Sequence, residues 1–226
     1  TCSQQVKYGA ALSYLGIATY ILIGLLYTPW MIRAIGKDDY GLYALAYSVI
    51  SLFVFDFGIS AAVQRFVAKY LAEGNKKKVN DCISLVCRLY IVIDIAVFIL
   101  LSLIFLLIPS IYTELTPEQL DRLKVVFLMA GLFSVISFPF VPLNGILSAH
   151  EKFVQLKACD LLSKVLTVAI NIICLCYGGG LYELVLTNVS VGMVIILLKL
   201  YVVSRETEVR ISVGYSDGKE MRRILV

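Results

Sequence analysis

The sequence has 226 residues, of which 60% are hydrophobic and 16% charged, and its mean hydropathy is +0.88. Soluble domains are about 45–50% apolar and about 25% charged, so this composition excludes an ordinary soluble enzyme and indicates a membrane protein. The net charge of +4 is too small to suggest a nucleic-acid partner, and none is expected.

Long uncharged runs divide the chain into six predicted membrane spans. A crossing of the bilayer needs roughly 20 apolar residues, and a backbone inside hydrocarbon must satisfy its own hydrogen bonds, which favours α-helices. The predicted fold class is therefore all-α, a polytopic membrane protein with six transmembrane helices. These helices are expected at about residues 8–34, 40–66, 86–109, 123–149, 160–178 and 183–203.

Local signals refine three of these helices. Thr116 and Gln119 flank a proline in the pattern of a capping box, which predicts a short external helix leading into the fourth span. Pro139 and Pro142 remove two amide donors and should kink that span. The three glycines at 178–180 predict a tight external turn, so the fifth and sixth spans should be antiparallel neighbours.

The distribution of positive charge predicts the orientation. When each cation is assigned to the nearer side, 16 of the 20 Lys and Arg residues fall on the side of the two termini. Positive juxtamembrane segments are retained in the cytoplasm, so both termini are predicted to be cytoplasmic. Residues 1–204 would form the transmembrane lobe. Residues 205–226, which end as a new apolar run begins, would form a cytoplasmic linker.

Acidic side chains within the spans are candidate functional residues, because ionisable groups are costly in hydrocarbon and usually face a bundle interior or a wet cavity. Asp56 and Asp94 are the candidates: Asp56 as a protonatable group or part of a cavity wall, and Asp94 as a cavity-facing group. The alternative for Asp56 is a carboxylate that a neighbouring helix satisfies or one that lies near the interface, and the alternative for Asp94 is a boundary residue near the inner interface.

The fifth predicted span carries a polar stripe. Asp160, Lys164, Thr167 and Asn171 are separated by 4, 3 and 4 residues. Residues so spaced share one face of a helix, and such a face should not lie against lipid. The stripe either lines a cavity or consists of an Asp160–Lys164 pair at the membrane surface together with hydrogen bonds between helices.

Cations near the ends of the spans are candidate ligands for an anionic substrate. Arg33 would lie near the outer exit, where it could instead extend toward lipid headgroups, whereas the other cations would lie at the inner mouth. A guanidinium group binds an anion such as phosphate in a bidentate way, which favours arginine over lysine as its ligand. The predicted substrate-binding residues are Arg33, Arg65, Lys69, Arg88, Lys164 and Asn171.

The residues of metal, cofactor and covalent chemistry do not occur in useful patterns. His150 is the only histidine, the cysteines lack C-x-x-C spacing, and there is no G-x-x-x-x-G-K-[ST] motif. We therefore expect no catalytic residue, no metal and no cofactor, and no ATP hydrolysis by this chain.

Several short motifs occur together along the chain. They are residues 28–36 (TPWMIRAIG), 39–43 (DYGLY), 56–58 (DFG) with 65–66 (RF), 138–139 (FP) with 143–145 (LNG), and 151–153 (EKF). With these motifs the whole chain resembles the polysaccharide-biosynthesis (Wzx-type) oligosaccharide flippases, which belong to the multidrug/oligosaccharidyl-lipid/polysaccharide exporter superfamily.

The resemblance implies the first six-helix lobe of a two-lobe exporter in the bacterial inner membrane, with a second lobe that this sequence does not contain. It implies a polyprenyl-pyrophosphate-linked oligosaccharide as substrate, a repeat unit of O-antigen, capsule or exopolysaccharide. The substrate would be flipped from the cytoplasmic to the outer leaflet by ion-coupled alternating access. Asp56 and Asp94 would be the ion-coupling residues, which gain and lose a proton as access alternates. The implied partners are this glycolipid, membrane lipids and the second lobe.

Three other functions remain open from the sequence. A small-molecule, multidrug-type exporter would take amphipathic cations and would favour a cavity dominated by acids. A membrane-embedded glycan polymerase or ligase would present a large external loop, whereas the longest external connection here lies near residues 114–124. The third alternative is a six-helix partner subunit without transport activity.

Overall fold

The computed structural model describes residues 2–53 and 58–206, and every regular element in those ranges is helical. A π-helical turn, Ile23–Tyr27, joins the first two α-helices, and a 3₁₀ turn, Phe138–Phe140, separates the sixth from the seventh. The α-helices are α1 (Cys2–Leu22), α2 (Thr28–Ile35), α3 (Lys37–Phe53), α4 (Ile59–Ala72), α5 (Lys76–Ile111), α6 (Pro117–Ser137), α7 (Pro142–Ala149), α8 (Phe153–Cys176) and α9 (Leu181–Glu206).

Five helical stretches of the described chain are long and apolar enough to cross a bilayer. They correspond to the first, third, fourth, fifth and sixth predicted spans. The chain is therefore an all-helical, multi-pass membrane protein. The five stretches are Lys7–Ile35, Lys76–Ile111, Pro117–Ala149, Phe153–Cys176 and Leu181–Arg205.

The second predicted span, residues 40–66, is not a single helix in the described residues. Its two parts are α3 and α4, and α4 is preceded by Gly58 with φ 74°. That left-handed conformation cannot continue an α-helix and is open to glycine because it has no Cβ. The separate helices are 17 and 14 residues long, so neither reaches the length of a full crossing on its own.

The third span begins ten residues earlier than predicted. The apolar run suggested a start near residue 86, but the Asn75 side chain accepts a hydrogen bond from the amide of Lys78 at 3.1 Å. This cap satisfies one of the free amides of the first turn, so the helix starts in the polar segment before the apolar run. The predicted boundary depended on hydropathy alone, and Asn75 lies in a polar segment before the apolar run.

The capping box, the proline break and the glycine turn predicted in the fourth to sixth spans are confirmed, but the short helix predicted before the fourth span is not a separate element. Thr116 Oγ1 accepts from the amide of Gln119 at 3.3 Å, and Gln119 Oε1 accepts from the amide of Thr116 at 3.1 Å. The predicted short helix is continuous with the fourth span and forms the start of α6. The 3₁₀ turn interrupts that span at Pro139, and Gly178 adopts φ 85° in the turn after which α9 packs against α8.

The tightest packing joins α4, α5 and α7. Tyr90 and Leu147 are fully buried there, and the Tyr90 ring lies 5.2 Å from the ring of Phe138 between centroids. Gly145 lets α7 approach α4 closely, since a Cβ at this position would lie 2.6 Å from Ser60 O. Small residues at such crossings allow membrane helices to gain packing energy without a hydrophobic drive between them.

A second core is formed by α3, α5, α6 and α9 around Val126 and Val185. At one end of this core, Arg122 of α6 reaches Asp39 of α3 at 3.0 Å and Glu118 of its own helix at 2.7 Å. The first turns of α3 and α6 therefore lie at the same end of the bundle.

Candidate functional site

The helices α1 and α8 run parallel in a constant register. Three pairs, each 144 residues apart, lie across this seam: a Cβ on Gly9 would touch Phe153 Cβ at 2.8 Å, Lys164 Nζ lies 4.7 Å from the Tyr20 ring centroid, and Tyr27 lies beside Asn171. The predicted polar stripe of α8 therefore faces α1, with α9 on its other flank. This placement favours the cavity interpretation of the stripe over a pair at the membrane surface.

The first cavity along this seam holds about 450 Å³ between α1, α8 and α9, and we call it the lysine pocket. In the part of the chain that the structure describes, Asp160 is the single acidic residue of its lining, whereas three lysines from two helices line it. The pocket is therefore electropositive. Its lining residues are Leu12, Ser13, Gly16, Ile17, Lys157, Asp160, Leu161, Ser163, Lys164, Ile195 and Lys199.

An ionic network closes one side of the lysine pocket. Lys199 Nζ donates to Asp160 Oδ1 and to Asn144 Oδ1, each at 2.9 Å, and the Lys199 side chain is 14% exposed. Lys157 Nζ lies 3.9 Å from Asp160 Oδ2. Asp160 thus pairs with Lys199 and Lys157, and the i,i+4 pair with Lys164 that the spacing allowed is absent from the ion pairs of the described residues. Lys164 is left exposed to the pocket, over the Tyr20 ring.

A second cavity of about 340 Å³ adjoins the first, and we call it the tyrosine pocket. Both pockets are lined by Ser163 and Lys164, which mark the junction between them. Four tyrosines and two asparagines contribute to the lining. The full lining is Tyr20, Ile23, Tyr27, Thr28, Met31, Tyr40, Tyr43, Ser163, Lys164, Thr167, Val168, Asn171, Leu184 and Asn188.

Two buried polar atoms of the tyrosine pocket have no hydrogen-bond partner. Asn188 Nδ2 donates to the Tyr43 hydroxyl at 3.1 Å. In contrast, neither Tyr27 Oη nor Asn171 Oδ1, both buried, has a hydrogen-bond partner of good geometry among the described residues, although the two side chains lie close enough to interact and Asn171 is only 3% exposed. An unsatisfied buried polar atom costs about 1–3 kcal/mol, so these two atoms are groups that a ligand can satisfy.

The predicted substrate-binding residues do not all meet at these pockets. Lys164 and Asn171 line them, whereas Arg33, at the end of α2, is exposed and lies in neither lining. On α4, Arg65 and Lys69 are exposed, and Lys69 lies 4.0 Å from Glu73; Arg88 is half-buried on α5. The roles of these four cations remain predictions.

The two predicted ion-coupling residues also lie apart from the pockets. Asp94 is half-buried in the middle of α5, and its Oδ1 is buried without a hydrogen-bond partner. A carboxyl in that setting lacks a fixed compensating group, which is compatible with the predicted uptake of a proton. Asp56 lies outside the described residues, so its place relative to Asp94 stays a prediction.

Sequence reasoning missed Lys199, although a signal for it exists. Asp160 lies 19 residues before Gly179 and Lys199 lies 19 residues after Gly180, so an antiparallel hairpin turning at these glycines brings both to one depth. The same symmetry pairs Asn171 with Asn188, each eight residues from the turn. The tyrosines of the second pocket carry no comparable signal, because they lie in apolar runs whose spacing does not separate a pocket from lipid.

The profile of a family described as "Polysaccharide biosynthesis protein" matches residues 6–226. No curated protein sequence and no solved structure matches the chain significantly.

Proposed function

The chain belongs to the polysaccharide biosynthesis protein family, and from that membership we propose that it translocates a polyprenyl-pyrophosphate-linked oligosaccharide across the bacterial cytoplasmic membrane. The glycolipid enters from the cytoplasmic leaflet and leaves in the outer leaflet by alternating access, driven by an ion gradient. The structural observation that most strongly supports this proposal is the lysine pocket.

The physical need for such a pocket follows from the charge of the substrate. A pyrophosphate is anionic, and its transfer into hydrocarbon without compensation is prohibitive. Three lysines against one aspartate provide a favourable field inside the bundle, and Asp160 already neutralises part of the charge of Lys199. Lys164, exposed to both pockets, is free to meet an incoming phosphate, while the prenyl tail stays in lipid.

The position of Lys164 suits a site that is reached from either side. It lies 11 residues after Phe153, about 16 Å along a helix of about 36 Å. A binding group near the middle of the membrane is what alternating access requires, because the two half-pathways must share one site.

The proposed topology has six crossings and both termini in the cytoplasm. In it, α3 and α4 together form the second crossing, since their combined length suffices and they lie between two full spans. The pairing of Arg122 with Asp39 supports this topology, because it joins the starts of α3 and α6 at the end proposed to face outward. Coupling to the ion gradient is assigned to Asp56 and Asp94, and a second six-helix lobe would face the two pockets.

A multidrug-type exporter is the nearest competing function. Such a protein binds amphipathic cations, for which an acidic cavity is favourable. The lysine pocket has the opposite sign of charge, so it favours an anionic headgroup.

The test measures flipping of a fluorescent polyprenyl-diphosphate oligosaccharide by the full-length protein in proteoliposomes. Lys164→Gln should slow flipping by roughly 10- to 100-fold, because a charged hydrogen bond to phosphate contributes about 1.5–3 kcal/mol. Lys164→Arg should retain most of the rate. Lys37→Gln is the matched control, since Lys37 is exposed at the start of α3 and lines neither pocket.

If Lys164→Gln and Lys157→Gln both flip the glycolipid at the rate of the Lys37→Gln control, the lysine pocket is not the pathway of an anionic headgroup. Transport of an organic cation in the same vesicles, unaffected by these variants, would favour the exporter of amphipathic cations.

A further inference from the structure

We propose that the tyrosine pocket binds one uncharged sugar ring, the one joined directly to the diphosphate, while the lysine pocket holds the diphosphate itself. This inference rests on the proposed function and divides its substrate between two neighbouring sites. It assigns to Tyr27, Asn171 and Tyr20 the recognition of the sugar and to Lys164 the recognition of the phosphate next to it.

The composition of the lining matches the surface of a pyranose. One face of such a ring presents C–H groups and its rim presents hydroxyls, so it is bound by aromatic rings together with amides and hydroxyls. The tyrosine pocket offers rings at Tyr20, Tyr27 and Tyr43 and amides at Asn171 and Asn188. Its volume of about 340 Å³ is within the range of small-ligand pockets.

The charge of the lining indicates a neutral occupant. Among the described residues, no acidic side chain lines the tyrosine pocket, and Lys164 at the junction is the single cation of its lining. An organic cation would meet repulsion from Lys164 without a carboxylate to compensate, and a second phosphate would find no further cation. An uncharged ring that bears hydroxyls needs neither a carboxylate nor a second cation.

Two unsatisfied atoms indicate where the sugar hydroxyls bind. Asn171 Oδ1 can accept from a hydroxyl, and Tyr27 Oη can accept from or donate to one. Both atoms belong to residues that line the same pocket, and neither has a hydrogen-bond partner of good geometry among the described residues. A hydroxyl that pairs with either atom would satisfy it and so contribute favourably to binding.

The junction determines which sugar is bound. Lys164 lines both pockets and at present lies over the Tyr20 ring at 4.7 Å. A phosphate that draws Lys164 toward the lysine pocket uncovers the face of Tyr20 for the C–H face of a ring. The group that follows the phosphate in space is then the sugar bonded to it.

The experiment compares two lipids and three variants in the full-length protein. Dissociation constants are measured by calorimetry in detergent for a polyprenyl diphosphate that is bare and for the same lipid carrying one hexose. Wild type should bind the glycosylated lipid more tightly. Tyr27→Phe and Asn171→Leu should each lower that preference by about fivefold, the effect of one lost hydrogen bond, and leave binding of the bare lipid within twofold.

Two further variants complete the design. Lys164→Gln should weaken both lipids alike, because it acts on the diphosphate. Tyr14→Phe is the control, since Tyr14 is an exposed tyrosine of α1 outside both pockets. Thermal unfolding of each variant in the same detergent identifies any variant that fails to fold. If Asn171→Leu does not fold, Tyr27→Phe alone tests the sugar site, because it removes a single oxygen atom.

The possible outcomes separate this inference from the proposed function. If wild type binds both lipids equally, or if Tyr27→Phe weakens both lipids equally or neither, the tyrosine pocket is not a sugar site. The proposed function then still stands provided that Lys164→Gln weakens both. If wild type binds neither lipid, the proposed function fails and this inference fails with it.

Discussion

The contact between α4 and α7 and the pocket-lining part of the seam between α1 and α8 each contain a glycine, but the surroundings of these two glycines differ. At the first, Gly145 lies against Ser60 O and Val63, and no space remains for a Cβ. At the second, Gly16 has no atom within 4 Å of where its Cβ would lie, and it lines the lysine pocket.

The comparison shows that two regions of similar apolar composition can have separate tasks. Around Gly145 the neighbouring side chains are aliphatic and aromatic and are fully buried, so the region holds the bundle together. Along α1 and α8 the facing side chains are lysine, aspartate, asparagine and tyrosine, which keep a cavity open between the helices. Close packing therefore dominates around Gly145, whereas the seam of α1 with α8 combines a close contact at Gly9 with two pockets farther along.

The largest expected effect breaks the packed contact. Gly145→Ala should destabilise the protein by about 2 kcal/mol, because the added methyl must displace the backbone of α4. Gly16→Ala is the matched control and should be neutral or stabilising by up to about 1 kcal/mol, the difference in helix propensity. Reversible unfolding in mixed micelles, followed by circular dichroism, measures both; equal effects would remove the distinction between the two contacts.

A second change fills the cavity and leaves the packed region intact. Gly16→Phe should place a ring in the lysine pocket and reduce glycolipid flipping to less than about a tenth of the wild-type rate, since displacing a bound group by about 1 Å can cost as much. Its unfolding should remain that of wild type. Normal flipping with the ring in place would show that the substrate does not pass through this pocket.

The ionic network at the edge of the lysine pocket should contribute less. Lys199→Met removes the donor to Asn144 Oδ1 and leaves Asp160 with Lys157, at 3.9 Å, as its remaining cation. We expect the free energy of unfolding to fall by only about 1 kcal/mol, because Asp160 is partly exposed and water can replace part of the lost interaction. Combining it with Asp160→Asn should cost less than the sum of the single changes. Strict additivity in the double-mutant cycle would mean that the two side chains do not interact.

The smallest effect is expected at the exposed join between α3 and α6. Arg122→Gln removes the contacts to Asp39 and Glu118 and should lower the free energy of unfolding less than Lys199→Met does, and still less in 1 M salt. This variant provides the surface reference for the Lys199 network. A cost as large as that of Lys199→Met, unchanged by salt, would show that burial does not distinguish the two ion pairs.

Much of the fold could be predicted from local patterns. Apolar runs placed five of the six spans, and the capping box at Thr116, the proline break at Pro139 and the glycine turn at Gly178 all lie where the sequence predicts them. These features depend on interactions within a few residues, such as caps, missing amide donors and backbone freedom. The start of α5 at Lys76 was missed because its cap, Asn75, lies in a polar segment.

The candidate site was predictable only in part. The spacing of the α8 stripe predicted one polar face, which includes Lys164 and Asn171. The position of the glycine turn is sufficient to predict that Asp160 and Lys199 lie at the same depth, where they form an ion pair. The partner of that face was not predictable, because Tyr20 and Tyr27 are separated from it by 144 residues and lie in an apolar run. In lipid, apolar residues occur on both the packed and the exposed faces of a helix, so periodicity does not indicate rotation.

By itself the sequence determined that this protein is helical and crosses the membrane several times, since hydrophobic length and backbone hydrogen bonding leave no other solution. Only the tertiary structure decided that α3 and α4 are separate helices, that α1 lies parallel to α8, and that lysines and tyrosines meet in adjoining pockets. The reason is that helix pairing and rotation depend on the close fit of side chains from distant segments, which no local pattern of hydropathy records.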